Sequence, residues 1–327
     1  MILTVTPNPS LDRTYTTGSV VADGVNRALT DTVEASGKGV NVSRALHAAG
    51  IATMAVLTAG GNEGEQLRAL LEEEALPHIL VPTQVSTRTN VTVVEPGRTT
   101  KINSPGQPLT QQDYDALVAV VSTRAREARH VVISGSMPPG ASEDLVPRLV
   151  ATARQAGART TVDASGAALR AAAKAEPDLL APNADELAEL TGRTLSGNGR
   201  GLVYAALGAA VAVSRSTGSA LLVSLGADGA LWVERGGKRA VHAAAPPLTP
   251  VNTAGAGDAL LAGWLAGDED IASERLARAV AWGTAACLLP GTSGDVPGGA
   301  DVATVTVTDL TTAAGSTIRE DQDRLHT

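Results

Sequence analysis

Few folds accept a chain in which strand-like apolar runs alternate with helical runs for most of its length. Residues 2–5 read as a buried strand, and 39–49 as a helix with Val40, Ala45, Leu46 and Ala49 on one face. A strand at 53–57 and a helix at 63–74 follow. Further on, helices at 111–126, 143–155 and 167–174 each precede a short apolar strand, at 130–133, 159–163 and 179–181. Residues 185–190 are helical again, 220–224 make a strand, and helices at 259–266 and 271–286 complete the series. This order predicts an α/β fold. Its central sheet is mostly parallel and covered on both faces, with the chemistry on loops beyond the strand C-termini.

Two stretches break the rhythm. Residues 11–34 and 86–103 are poor in helix formers and rich in Thr, Val and Asn. Thr89 to Glu95 alternates with period two, turns at Pro96-Gly97-Arg98 and returns through Asn103, which is a hairpin. Together they predict a small β-sheet lid, from segments of about 11–34 and 86–105 inserted in one α/β domain, 1–314. A small sheet with one apolar face is unstable alone, so a homodimer formed through the lid is expected. Residues 315–327 read as a polar C-terminal tail.

The chain has 327 residues, 43% hydrophobic and 18% charged, a globular balance rather than a disordered one. It has no Phe, three Trp and three Tyr, so the core must be built from Ala, Val and Leu, and stacking on nucleic-acid bases is excluded as a main binding mode. The net charge of −8, with no Lys/Arg-rich run, argues against nucleic-acid and membrane-surface partners. The lone Cys287 excludes an internal disulfide and a thiolate metal cage, and its apolar neighbours make it read as a small buried hydrophobe. The first residues lack a basic signal region, and the apolar stretch 201–213 is too short to span a bilayer. A cytoplasmic protein is expected.

Several motifs carry chemistry. Val251-Asn252-Thr253-Ala254-Gly255-Ala256-Gly257-Asp258 runs into an apolar helix. The first N–H groups of a helix lack partners inside it, and small residues let an anion approach them. Asp258 would stand beside that anion as a base, or act as a plain helix N-cap. Ser36-Gly37-Lys38-Gly39-Val40-Asn41 places an ammonium and free amides before another helix, or is a Gly-rich turn with a solvated lysine. Asn41 could bond sugar hydroxyls, and Asp12 reads as a turn residue or as an acceptor for two vicinal hydroxyls. Ser134 to Gly140 follows a strand as a rigid loop. In Pro182-Asn183-Ala184-Asp185-Glu186, Asn183 and Glu186 share one side of a first helical turn, suited to the water shell of Mg²⁺ or to a capping box. Ser224, Gly226 and Gly229 end a strand where a nucleotide could lie, or where a tight turn suffices. A P-loop, a G-x-G-x-x-G dinucleotide fingerprint and an H-E-x-x-H zinc site are all absent.

In this order the motifs resemble the ribokinase-like sugar kinases, the phosphofructokinase B family, over nearly the whole chain. The likeness rests on Thr6–Asp12, Gly37–Val42, Thr87-Arg88-Thr89-Asn90, Thr100-Lys101-Ile102-Asn103, Ser134–Gly140, Pro182–Glu186 and Gly255–Asp258. The resemblance implies a three-layer sandwich and transfer of phosphate from ATP to a ketohexose phosphate. It makes Asp258 the catalytic base and Gly255, Ala256 and Gly257 the anion hole. Asn183 and Glu186 would support Mg²⁺ through water, and Ser224, Gly226, Gly229 and Gly257 the ATP; a monovalent cation is a further candidate cofactor. Asp12, Gly37, Asn41, Asn103 and Ser136 would hold the sugar, with Lys38 and Arg88 on its phosphate and Arg27 added across the lid from a second copy. Lys38 resembles the pattern of members acting on fructose 1-phosphate or on tagatose phosphate, and conversion of fructose 1-phosphate to fructose 1,6-bisphosphate is the expected reaction. Tagatose 6-phosphate and fructose 6-phosphate are the alternative acceptors, and a non-catalytic sugar-phosphate-binding protein is the alternative class. Ala181 stands where many members carry Lys, and Asn252-Thr253-Ala254 where many read Ser-Thr-Val. Positions 289–290 have Leu-Pro where relatives place an Asn near the adenine. All three departures fall on the nucleotide side.

Overall fold

The computed structural model describes residues 1–267, 271–289 and 301–311. In chain order its strands are β1 (Ile2–Thr6), β2 (Ser10–Thr16), β3 (Thr30–Ser36), β4 (Thr53–Ala59), β5 (His78–Pro82), β6 (Arg88–Glu95) and β7 (Arg98–Ile102). There follow β8 (His130–Ser134), β9 (Arg159–Asp163), β10 (Leu179–Leu180), β11 (Ala220–Ser224), β12 (Ala230–Val233), β13 (Ala240–Ala244) and β14 (Thr306–Asp309). The helices are α1 (Lys38–Ala48), α2 (Gly61–Glu73), α3 (Gln111–Arg124), α4 (Leu145–Gln155), α5 (Gly166–Ala175), α6 (Ala184–Thr191), α7 (Arg200–Thr217), α8 (Ala256–Ala266) and α9 (Ala272–Ala286). The polar tail read at 315–327 lies outside the described residues.

Among the described residues the large sheet has the order β5-β4-β1-β8-β9-β10-β11-β12-β13-β14. The first seven run parallel, and the last three add antiparallel strands at one edge. Alternate residues of one strand serve opposite cores. Leu3 and Val5 pack with α3, α4, α5 and α7, whereas Ile2 packs with α1, α8 and α9. That gives the three layers expected of a ribokinase-like sandwich, with strands buried on both faces. The core is aliphatic, as the composition requires: its largest fully buried side chains are Leu and Ile. The 201–213 stretch lies inside α7 with Ala206, Leu207, Ala209 and Ala210 buried against the sheet, and no described helix is long and apolar enough to cross a membrane.

From β1 the chain passes to β4 on one side, while β8 lies on the other, so the strand order reverses between β1 and β8. In parallel α/β sheets ligands bind in the crevice beyond such a reversal. A second sheet of order β3-β2-β6-β7 stands directly above it. Its root pairs Ser10 with Ser36 and with Arg88. Period-two alternation then lines up Glu34, Asp12 and Asn90 on one face and Ala35, Leu11 and Thr89 on the other, where Leu11 and Ala35 join a buried cluster with α1 and α2. Beyond β2 the chain makes an exposed excursion before β3, with Val21, Val25 and Leu29 from 62% to 84% exposed.

Candidate active site

Helix α8 begins at Ala256 because Gly255 supplies the left-handed N-cap (φ 79°) that a side chain resists. Asp258 therefore sits in the first turn, yet it caps nothing, since this terminus has no side-chain cap bond. Its carboxylate instead accepts from Asn41 Nδ2 at 2.8 Å and is only 7% exposed. Burial, helped by the Asp163 carboxylate, pushes the Asp258 pKa up to about 7, against the pull of Asn41, Lys38 and Arg44. A carboxyl tuned to neutrality beside the amides of a helix start is a proton acceptor for a hydroxyl attacking an anion.

Lys38 is partly exposed but ion-paired rather than free. Its Nζ donates to Asp163 Oδ1 at 2.8 Å and lies 3.9 Å from Glu186 Oε1. Burial alone would lower its pKa, but the Asp163 carboxylate outweighs that and raises it. Asp163 ends β9, where Ser134 Oγ at the end of β8 also donates to it at 2.9 Å. The sequence reading put Lys38 with Arg88. The structure instead puts it in a cleft of about 380 Å³ that Asp163, Asn183, Glu186, Gly255, Gly257 and Asp258 also line.

Asn183 and Glu186 form a full capping box on α6: Asn183 Oδ1 accepts from the Glu186 amide at 2.8 Å, and Glu186 Oε2 from the Asn183 amide at 2.9 Å. The plain capping reading is thus correct, but it uses only one Glu186 oxygen, and Oε1 faces Lys38 in the cleft. Burial pushes the Glu186 carboxyl up. Among the described residues no three His, Cys, Asp or Glu side chains could hold a metal ion by themselves. Oε1 of Glu186, which faces the cleft, fits a Mg²⁺ that takes its other ligands from water and phosphate.

On the other side of the crevice, Asp12 accepts from Ser10 Oγ (2.9 Å), Asn90 Nδ2 (2.8 Å) and Ser36 Oγ (2.8 Å), which fixes its carboxylate on the polar face of the small sheet. Arg88 donates to the carbonyls of Ser104 (2.7 Å) and Asn8 (3.1 Å) and to Ser136 Oγ (3.2 Å). Asn8 also donates to Ser136 Oγ at 3.3 Å, and Ser136 is exposed. A guanidinium held this way keeps its plane fixed beside an open hydroxyl, a geometry suited to an oxyanion. Gly37 is the N-cap of α1 (φ 137°), where an added Cβ would meet Thr6 Cγ2 at 2.8 Å. Arg27 lies in the exposed excursion and Asn103 is exposed just beyond β7; neither lines the cleft.

A second cavity of about 780 Å³ adjoins the first and shares Asn183, Ser224, Gly257 and Leu260 with it. Gly226 and Gly229 floor it, and Pro246, Pro247, Leu248, Val280 and Thr284 make its mostly apolar walls. Its size and lining fit a nucleoside, which small side chains grip without aromatic stacking. Ala181 lines the first cavity. Cys287 is half-buried on the slot wall rather than in the core, and burial raises its pKa. Position 289 is described but 290 lies outside the described residues.

Sequence reasoning missed Asp163, Arg44 and Asn90 as members of the site. The signal for Asp163 was available: a carboxylate closing a predicted parallel strand, where ligands collect.

Known proteins share this sequence pattern and fold. A 1-phosphofructokinase of Rhodobacter capsulatus is 36% identical over 266 residues, covering 80% of this chain and 82% of the relative. The structure of phosphofructokinase-2 from Escherichia coli in complex with fructose-6-phosphate aligns with TM-score 0.80 at 32% identity, over 88% of this chain and 93% of that one. Ribokinase of Arabidopsis thaliana, complexed with ribose and ATP, shares the fold alone, at TM-score 0.69 and 20% identity over 90% of this chain and 94% of that one. The pfkB family carbohydrate kinase pattern matches residues 8–297, and the chain belongs to that family.

Proposed function

We propose that this protein transfers the γ-phosphoryl group of ATP to the 6-hydroxyl of fructose 1-phosphate, giving fructose 1,6-bisphosphate and ADP. The observation that carries the proposal is the Asp258 carboxyl, buried with a pKa of about 7 at the amide-rich start of α8, where a cleft and a nucleoside-sized slot meet. Asp258 takes the hydroxyl proton as that oxygen bonds to phosphorus and the bond to ADP breaks. The amides of Gly255, Ala256 and Gly257 bear on the oxygens that gain charge. Lys38, on the far wall of the same cleft, adds positive charge there. Mg²⁺, held from Glu186 through water, supplies charge neutralisation on the phosphates when bound. Asn183, Ser224, Gly226 and Gly229 border the nucleotide, while Asp12 and Asn41 orient the sugar, and Arg88 with Ser136 takes its phosphate.

The acceptor is tested by ADP release measured side by side with fructose 1-phosphate, fructose 6-phosphate, tagatose 6-phosphate and unphosphorylated fructose. Fructose 1-phosphate should have the highest kcat/KM, and fructose the lowest by about 10² or more, because the Arg88 site is then left without its anion. A best turnover with either 6-phosphate would reassign the substrate. Comparable turnover of free fructose would remove the phosphate site at Arg88.

The small sheet supports a homodimer. Val21, Val25 and Leu29 in the excursion between β2 and β3, and Ile102 at the end of β7, are all more than 60% exposed, a pattern that a second copy would cover. Sedimentation should give a dimer at assay concentration, and a monomer with full activity would exclude both this interface and a role for Arg27 across it.

A further inference from the structure

One buried charge in this molecule has no part in the reaction just described. Arg44 on α1 is 9% exposed, and its guanidinium is spread over three elements. Nε and Nη2 donate to the two carboxylate oxygens of Glu74, at 2.8 and 3.0 Å, just past the end of α2. Nη2 also donates to the Ala35 carbonyl on β3 at 2.6 Å, at the root of the small sheet. Nη1 donates to Asn41 Oδ1 at 2.9 Å.

That last bond settles which way the Asn41 amide faces. A guanidinium can only donate, so it must meet the amide oxygen. The NH₂ is then turned the other way, where Asn41 Nδ2 donates to Asp258 Oδ2 at 2.8 Å. An ionised carboxylate can only accept, so a flipped amide would set oxygen against oxygen there. Residues three apart on α1, Asn41 and Arg44 share a side of the helix, which is what lets one fix the other. The two-point grip of Glu74 holds the guanidinium plane, and so the aim of Nη1.

We propose that Arg44 is a positioning residue for Asp258, acting through the amide of Asn41. The proposal rests on Asp258 being the base. The same guanidinium bonds the strand next to Ser36, whose hydroxyl holds Asp12, so the root of the small sheet and the aim of the base share one anchor.

The test is a double-mutant cycle in the full-length protein, with ADP release measured on the sugar phosphate that the wild type uses best. Rates are taken on the alkaline plateau, where Asp258 is ionised whatever its neighbours. This matters because Asp163, Lys38 and Arg44 all bear on that carboxyl, and a lost charge at Arg44 would otherwise move its titration. Arg44→Met should lower kcat about tenfold with KM for ATP unchanged. In an Asn41→Ala background the same substitution should cost less than about twofold, since the group it acts through is gone. Glu74→Gln, at a half-exposed position that leaves Arg44 in place, should give a smaller loss with the same dependence on Asn41, and it carries the cycle if Arg44→Met does not fold. Equal losses in both backgrounds, or a lowered Tm with kcat unchanged, would overturn the proposal. A wild type inert on every sugar phosphate would instead refute the kinase reading beneath it.

Discussion

Asp258→Asn should lower kcat by about 10²–10⁴, the range a positioned general base contributes. It should leave the binding of ATP and of the sugar phosphate nearly intact, because the slot walls and the Arg88 site are elsewhere. Two pH effects accompany it. In the wild type, activity requires the ionised carboxylate, so kcat/KM should fall on the acid side of about pH 7. Stability should run the opposite way. The folded protein holds the Asp258 proton up to about pH 7, whereas an unfolded chain releases it near 3.8. Between those values the native state binds more protons, so this group's contribution to stability declines as pH rises through the window, by on the order of a few kcal/mol. The Asn variant has no such decline. Its Tm should exceed that of the wild type at pH 8 and converge with it near pH 4. Wild-type turnover in the variant, or a Tm difference independent of pH, would show that Asp258 is not the buried base.

Gly257→Val should be nearly as damaging by a different route. A Cβ added at Gly257 meets no atom within 4 Å, since the position opens on both cavities. The fold should therefore accept valine, with Tm close to wild type. Its methyl groups would stand over the first-turn amides of α8, whose N–H groups have no partner within the helix. A transferring phosphoryl group would then be held off those donors, at a cost of about 10²–10³ in kcat. An unfolded variant, or one that keeps its kcat, would mean that this turn does not cradle the phosphate.

Much of the architecture was legible because alternating periodicity survives in the sequence: strands β1, β4, β8, β9 and β11 and helices α1 to α6 stand close to where pattern alone puts them. Helix α7 was not. Its Ala, Val and Gly residues are apolar around most of the circumference, which leaves no face to detect. Strands β12 and β14 are only four residues long, too short for alternation to register. In the site, Asp258 stands out in the sequence because glycines precede it. Asp163 and Arg44 do not, because their partners lie 125 and 30 residues away and meet them only after folding. The Lys38 partnership has the same origin. A local motif announces a charge, but tertiary approach chooses its counterion.

The two walls of the crevice are drawn from separate stretches of the chain. Asn8, Asp12, Arg88 and Asn90 all lie within the first third, whereas the slot is built from residues 183 to 287. Natural selection can therefore revise one wall without disturbing the other. Ser136, which completes the sugar wall, also precedes the slot residues, so a lineage moving to a new carbon source would need edits in the first half of the chain alone, and its energy currency would stay the same.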